Sequence, residues 1–149
     1  MTDVGAMHME RPFASPGQRG AVAICLRDGK MLVIRRSRTV RAPLTYCFPG
    51  GAIEAGETEE QALVRELREE VAVRVDPLRR LWRCTTPWNV ELAWWLAELD
   101  ADAAPVANPA EVESIHWLTP DEMARLPDVL QSNREFLRLI AAGEISLRA

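Results

Sequence analysis

Cysteine is scarce in this chain: Cys25, Cys47 and Cys84 are widely spaced, and no two form a C-x-x-C pair. That argues against a disulfide framework or a zinc site and for a reduced, intracellular setting. Lysine is nearly missing, since Lys30 is the only lysine among 18 basic residues. The balance of charge is not basic either. A formal net charge of -4 counts against a general binder of nucleic-acid polymers, which needs a positive surface for the phosphates. Apolar runs are short, none approaching the roughly 18 residues of a membrane span. The first residues lack the basic-then-apolar layout of a secretion signal. These absences lead us to expect a cytoplasmic protein that does not insert in a membrane; the sequence leaves open whether it is a monomer or a homodimer.

What is present suits a single domain. A chain of 149 residues with 48% hydrophobic and 27% charged residues can bury a sizeable core without covalent staples. Residues 1–18, rich in Pro, Gly and small polar side chains, read as a flexible leader, and residues 19–149 as the domain. Two apolar runs, Gly20 to Leu26 and Met31 to Ile34, flank Asp28-Gly29, which is a β-hairpin pattern. Phe48 to Glu54 is too interrupted by Pro and Gly for a simple strand, and Asp76-Pro77 reads as a break. Leu81 to Thr85, Glu91 to Leu99 and Val112 to Leu118 read as strands, with a surface loop from Asp100 to Pro109. Thr119-Pro120 opens a helix with proline at its first position. Ser132-Asn133-Arg134-Glu135 opens another, running to about Ala142. Strands interleaved with helices predict an α/β or α+β domain.

The clearest helix begins after Thr58. Thr58 and Gln61 form a capping-box pattern, Glu59 and Glu60 suit the positive end of the helix dipole, and Ala62, Leu63, Leu67 and Val71 supply an apolar stripe. On the same helix Glu66, Glu69 and Glu70 fall within one face, at 0°, about 300° and about 40°. Like charges so placed repel by a few tenths of a kcal/mol per pair, which a solvated acidic face tolerates but stability alone would not select. A divalent cation reverses the sign, because Mg²⁺ and Mn²⁺ bind carboxylate oxygens beside a polyphosphate. Just upstream, Pro49-Gly50-Gly51 allows close backbone approach to a ligand, and Glu57 precedes the helix cap.

Taken together the pattern is Gly51, five residues, Glu57, seven residues, Arg65-Glu66-Leu67, one residue, Glu69-Glu70, one residue, Ala72-Val73. It resembles the Nudix box of the Nudix hydrolases over residues 51–73, departing only at Ala72, where the family pattern has glycine. Alanine there removes no ligand. It should cost about 1 kcal/mol in a left-handed helix terminus, or lengthen the helix.

The resemblance implies an α/β/α sandwich with a mixed β-sheet between helices, and a Mg²⁺ (or Mn²⁺) cofactor held by Glu66, Glu69, Glu70 and the Gly51 carbonyl. It implies catalytic roles for Glu66 as a candidate base, for Arg65 in orienting the carboxylates, and for Glu57 in supporting the loop. The reaction would be water attack on an internal phosphorus of a nucleotide. Arg36 occupies the place of a substrate arginine in MutT-like members, and Phe48 and Asn133 match positions that meet the substrate there. Asn133 has a second reading as part of an ordinary helix cap. Glu111 or Glu113 would either add a metal carboxylate or stand as a plain surface acid. Phe48-Pro49-Gly50-Gly51 resembles the members that act on nucleoside triphosphates, normal or oxidised. The alternatives are an ADP-ribose or nucleotide-sugar pyrophosphatase, a nucleotide sensor without turnover, and an interaction module using the tryptophan-rich strands. Trp82, Trp94 and Trp95 read as core; Trp88, between Pro87 and Asn89, is the candidate for stacking on a base.

Overall fold

Asp28 and Gly29 both take positive φ, 52° and 76°, the geometry of a two-residue hairpin turn whose twist matches its strands. The turn joins β1 (Arg19–Arg27) to β2 (Lys30–Arg36), with Arg27 opposite Lys30. The structure, a computed structural model, describes residues 18–148; the expected leader therefore lies outside the described residues except for its last position. The remaining strands are β3 (Tyr46–Cys47), β4 (Gly50–Ala52), β5 (Val75–Thr85), β6 (Glu91–Leu99) and β7 (Val112–Leu118). The helices are α1 (Glu59–Val71), α2 (Pro120–Ala124) and α3 (Gln131–Ala141).

The strand order is β3-β2-β1-β6-β5, with β4 paired to β1 and β7 to β2. The sheet is mixed: β1 and β6 run parallel from Arg19 opposite Glu91 to Cys25 opposite Ala97, while the other strand pairs are antiparallel. β4 lies along the first part of β1, Gly51 opposite Ala21, and β2 along its end. This brings the Gly-Gly segment and the start of the hairpin to one edge of α1.

Alternation along β1 builds two cores. Ala21, Ala23 and Cys25 face α1 and pack with Ala62, Leu63, Leu67 and Val71. Val22 and Ile24 face the opposite side, where Trp94, Phe136 and Leu137 lie. The alanines of β1 let α1 approach closely, and burying each of its two core leucines is worth about 1.5–3 kcal/mol. On the other face Phe136 of α3 stacks on Trp94, ring centroids 4.8 Å apart and nearly parallel. The result is the α/β/α sandwich that the sequence resemblance implied.

Two local expectations need correction. Asp76-Pro77 does not break the chain; β5 runs through it, with register shifts after Pro77 and after Arg80. β5 pairs only with β6 among the described strands, and an edge strand tolerates a residue without an N–H. The Phe48 to Glu54 segment is interrupted, as expected, and contributes only the short strand β4. Ser132-Asn133 does not cap α3: the helix starts at Gln131, Leu130 is its N-cap without a side-chain bond, and Leu130 N–H donates to the Tyr46 carbonyl at 3.1 Å. α1 ends at Val71 and is not lengthened, because Ala72 adopts the left-handed conformation, φ 57° and ψ 34°. No described helix is long and apolar enough to cross a membrane.

Candidate active site

α1 starts with the capping box in place: Gln61 N–H donates to Thr58 Oγ1 at 3.1 Å, and Thr58 N–H to Gln61 Oε1 at 2.9 Å. This fixes the first turn and so the direction of the face two turns on. Arg65 gathers the surrounding acids. It donates through Nε and Nη2 to both oxygens of Glu57, at 2.8 and 2.9 Å, a bidentate pair. Nη1 donates to Glu66 Oε1 at 2.9 Å and to Glu69 Oε2 at 3.3 Å, and Nη2 also reaches the Ala52 carbonyl at 2.9 Å. The Arg65 hydrogen bonds, with one from Glu54 N–H, hold the Glu57 carboxyl down to about 2. Glu57 is therefore an anionic anchor for Arg65, and Arg65 in turn sets Glu66.

Gly51 meets this face from β4. A Cβ added there would lie 2.3 Å from the Glu66 carboxyl carbon, so the space a side chain would fill holds the Glu66 carboxylate. Glu70 is buried and accepts from Gly50 N–H at 2.8 Å. Burial, and next the charge of Glu66, push the Glu70 carboxyl well above the ordinary range. Burial also raises Glu66, with Arg65 opposing and the charges of Glu69 and Glu111 adding to the rise. Glu111 thus acts on both, from the loop ahead of β7, and its Oε2 is buried without a hydrogen-bond partner.

Two carboxyls raised by burial and neighbouring acids, a third acid, Glu111, with an orphaned oxygen, and a glycine against a carboxylate suit a divalent cation site. Among the described residues no three acidic, histidine or cysteine side chains stand as a ready-made cation cage. Arg65 accounts for this on the exposed side, since its guanidinium binds Glu66 and Glu69. The donor set fits Mg²⁺ or Mn²⁺ chemically, since Arg65 takes only Oε1 of Glu66 and Oε2 of Glu69 and leaves each carboxylate its other oxygen.

Arg36, Phe48 and Asn133 come together elsewhere, lining a small recess with Gly50, Cys47 and Ser132. Gly50 links the two groups through its bond to Glu70. Arg36 Nε donates to the Arg41 carbonyl at 2.7 Å, and its charge acts on Glu70 and Cys47. The Phe48 ring belongs to the core, edge-on to Phe136 at 5.6 Å and to Trp94 at 6.2 Å. Its N–H donates to Asn133 Oδ1 at 2.9 Å, so the asparagine oxygen is engaged by the Pro-Gly-Gly segment. Past Ser132 lies a larger recess of about 440 Å³ walled by Trp82, Trp88, Cys84 and Glu135. Trp88, expected in a loop, stands there.

Two features were not read from the sequence. Glu59, assigned only to the helix dipole, is buried and takes Trp95 Nε1 at 2.9 Å, Arg80 Nε at 3.1 Å and a short bond from Arg83. It pins β5 and β6 to the start of α1, and these partners lie 21 to 36 residues further along the chain. The loop before β7 is bonded to the end of α1, which nothing in its Ala- and Pro-rich composition signals.

The NUDIX domain family matches residues 17–140. A Nudix hydrolase of Deinococcus radiodurans is 37% identical over 129 residues, 78% of this chain and 64% of that protein. An NAD-capped RNA hydrolase of the same organism is 32% identical over 114 residues, 74% of this chain and 39% of that protein. The chain thus spans less than two thirds of either relative. A solved MutT protein of Methanosarcina mazei has the same fold, with a TM-score of 0.75 at 16% identity, covering 89% of this chain and 98% of that one.

Proposed function

Because the chain belongs to the Nudix family, we propose that it hydrolyses the diphosphate linkage of a nucleotide derivative, with water attacking an internal phosphorus. The observation that carries this reading is the gathering of Glu66 against Gly51, Glu70 on the Gly50 N–H, and Glu111 with a buried, unpartnered oxygen, an acidic set whose charge a divalent cation would neutralise. Glu66, Glu69, Glu70 and the Gly51 carbonyl would hold Mg²⁺ or Mn²⁺, with Glu111 joining from the loop ahead of β7. A bound ion of this kind acidifies the attacking water and neutralises charge on the diphosphate. Glu66 accepts the water proton. Arg65, itself anchored on Glu57, keeps Glu66 turned toward the reacting phosphorus.

Arg36 meets the phosphate oxygens, since a guanidinium fork suits them. The nucleoside end lies in the recess of Phe48 and Asn133 and extends toward Trp88. The new P–O bond forms from water as the anhydride P–O bond breaks. A nucleoside triphosphate, normal or oxidised, would leave a monophosphate and pyrophosphate. Hydrolysis of a panel with Mg²⁺ or Mn²⁺ tests this: nucleoside triphosphates, ADP-ribose, a nucleotide sugar and a dinucleoside polyphosphate, beside Glu66→Gln. The expected result is a monophosphate product and a loss of at least 100-fold in kcat in the variant. Full activity in Glu66→Gln would remove the proton-accepting role from that residue. A folded, metal-loaded protein that binds a nucleotide but cuts none would make this a sensor.

A further inference from the structure

The loop between β6 and β7 is fastened to the end of α1. Val106 N–H donates to the Val71 carbonyl at 2.9 Å, and Asn108 N–H to the Glu70 carbonyl at 2.9 Å. Asn108 Nδ2 donates to the Glu69 carbonyl at 3.2 Å. Three carbonyls of the last helical turn, which have no partner inside the helix, thus receive donors from one loop.

Asn108 faces the other way as well. Its Oδ1 accepts from Ala110 N–H at 3.2 Å. Its carbonyl accepts from Glu111 N–H at 2.9 Å and from Val112 N–H at 2.8 Å. One half-buried residue therefore bonds the backbone of Glu69 and Glu70 and closes the turn that carries Glu111. Glu111 in turn holds a buried, unpartnered oxygen and acts electrostatically on Glu66 and Glu70.

We propose that Asn108 is a positioning residue for the cation site, tying the Glu111 turn to the backbone of Glu69 and Glu70 so that carboxylates from two distant segments meet one ion. The inference rests on the metal-dependent reading above. A helix cap without this role would lower stability and leave cation affinity alone. Acting through Glu111, Asn108 affects affinity only while Glu111 can bind.

Mn²⁺ binding to the full chain, without nucleotide, provides the test, free Mn²⁺ being read by electron paramagnetic resonance. Asn108→Ala should weaken binding about tenfold, the usual cost of losing a group that orients a ligand. Asn108→Ser keeps an oxygen for Ala110 N–H but is too short for the Glu69 carbonyl; it should lose as much affinity while its melting temperature stays closer to that of the parent. In a Glu111→Gln background, Asn108→Ala should weaken Mn²⁺ no further. Parent-like affinity in the serine variant, or losses that add in the double variant, would overturn the proposal. A parent chain that takes up no Mn²⁺ sinks the metal-dependent reading itself, whereas a parent that binds beside unaffected Asn108 variants sinks this inference alone.

Discussion

At position 51 the hydrogen of glycine faces a carboxylate, and a methyl group would collide with all three terminal atoms of Glu66. Gly51→Ala should therefore leave the sandwich folded, since β4 keeps its pairing with β1, while Glu66 is pushed off its Arg65 contact. A misplacement near 1 Å at a reacting group costs on the order of 100-fold. We expect that loss in kcat/KM with a melting temperature within a few degrees of the parent; a fully active Gly51→Ala would mean that Glu66 works from another rotamer. The spacing of the box made Gly51, Glu57, Arg65 and Glu66 legible in the sequence because α1 and its cap are local structures. Asn108 and Glu59 were not legible. The partners that give them their roles, Arg80 and Trp95 for Glu59 and the Glu69 and Glu70 carbonyls for Asn108, lie tens of residues away.

The elements differ in how openly the sequence declares them. α1 carries its start in Thr58 and Gln61 and its stripe at helical spacing, and it starts where it was expected, while its end, left open at Ala72, is settled by the left-handed conformation there. β5 was shortened in the sequence reading because Asp76-Pro77 looks like a stop. What overrode it was tertiary: at the sheet edge the missing proline N–H is not needed, and the register shift after Pro77 absorbs the ring. The beginning of α3 was misplaced for a similar reason, Tyr46 pairing with Val129 and Leu130 where local composition favoured Ser132. The end of α1 yields a prediction at this scale. Ala72 is exposed and left-handed, so Ala72→Gly should relieve its strain, net of the greater freedom glycine has when unfolded. We expect a gain of about 0.5–1 kcal/mol in urea unfolding and unchanged activity. A loss of stability would show that the Ala72 methyl packs usefully.

Across the whole molecule the three thiols report on different depths. Burial pushes Cys25 up to about 12 and Cys47 up to about 11, while half-buried Cys84 lines the tryptophan recess. A thiol reagent at pH 8 should therefore modify Cys84 first and the other two only as the protein unfolds, and a nucleotide seated in the recess should slow the first reaction. Equal rates at all three would mean that the sheet opens as readily as the recess. The parallel pairing of β1 with β6 is invisible to any window along the chain, because it joins segments 72 residues apart in register. That long-range pairing leaves β5, eleven residues long, as a border of the sheet. Such a border offers unpaired amides to any other extended chain, the template from which aggregates grow. Pro77, two register shifts and the charged row Arg79, Arg80 and Arg83 interrupt it. The proline that hid this strand from a sequence reader thus also spoils it as a docking strip for a second copy, which makes β5 the stretch where a swap to valine and threonine would turn a well-behaved solution cloudy.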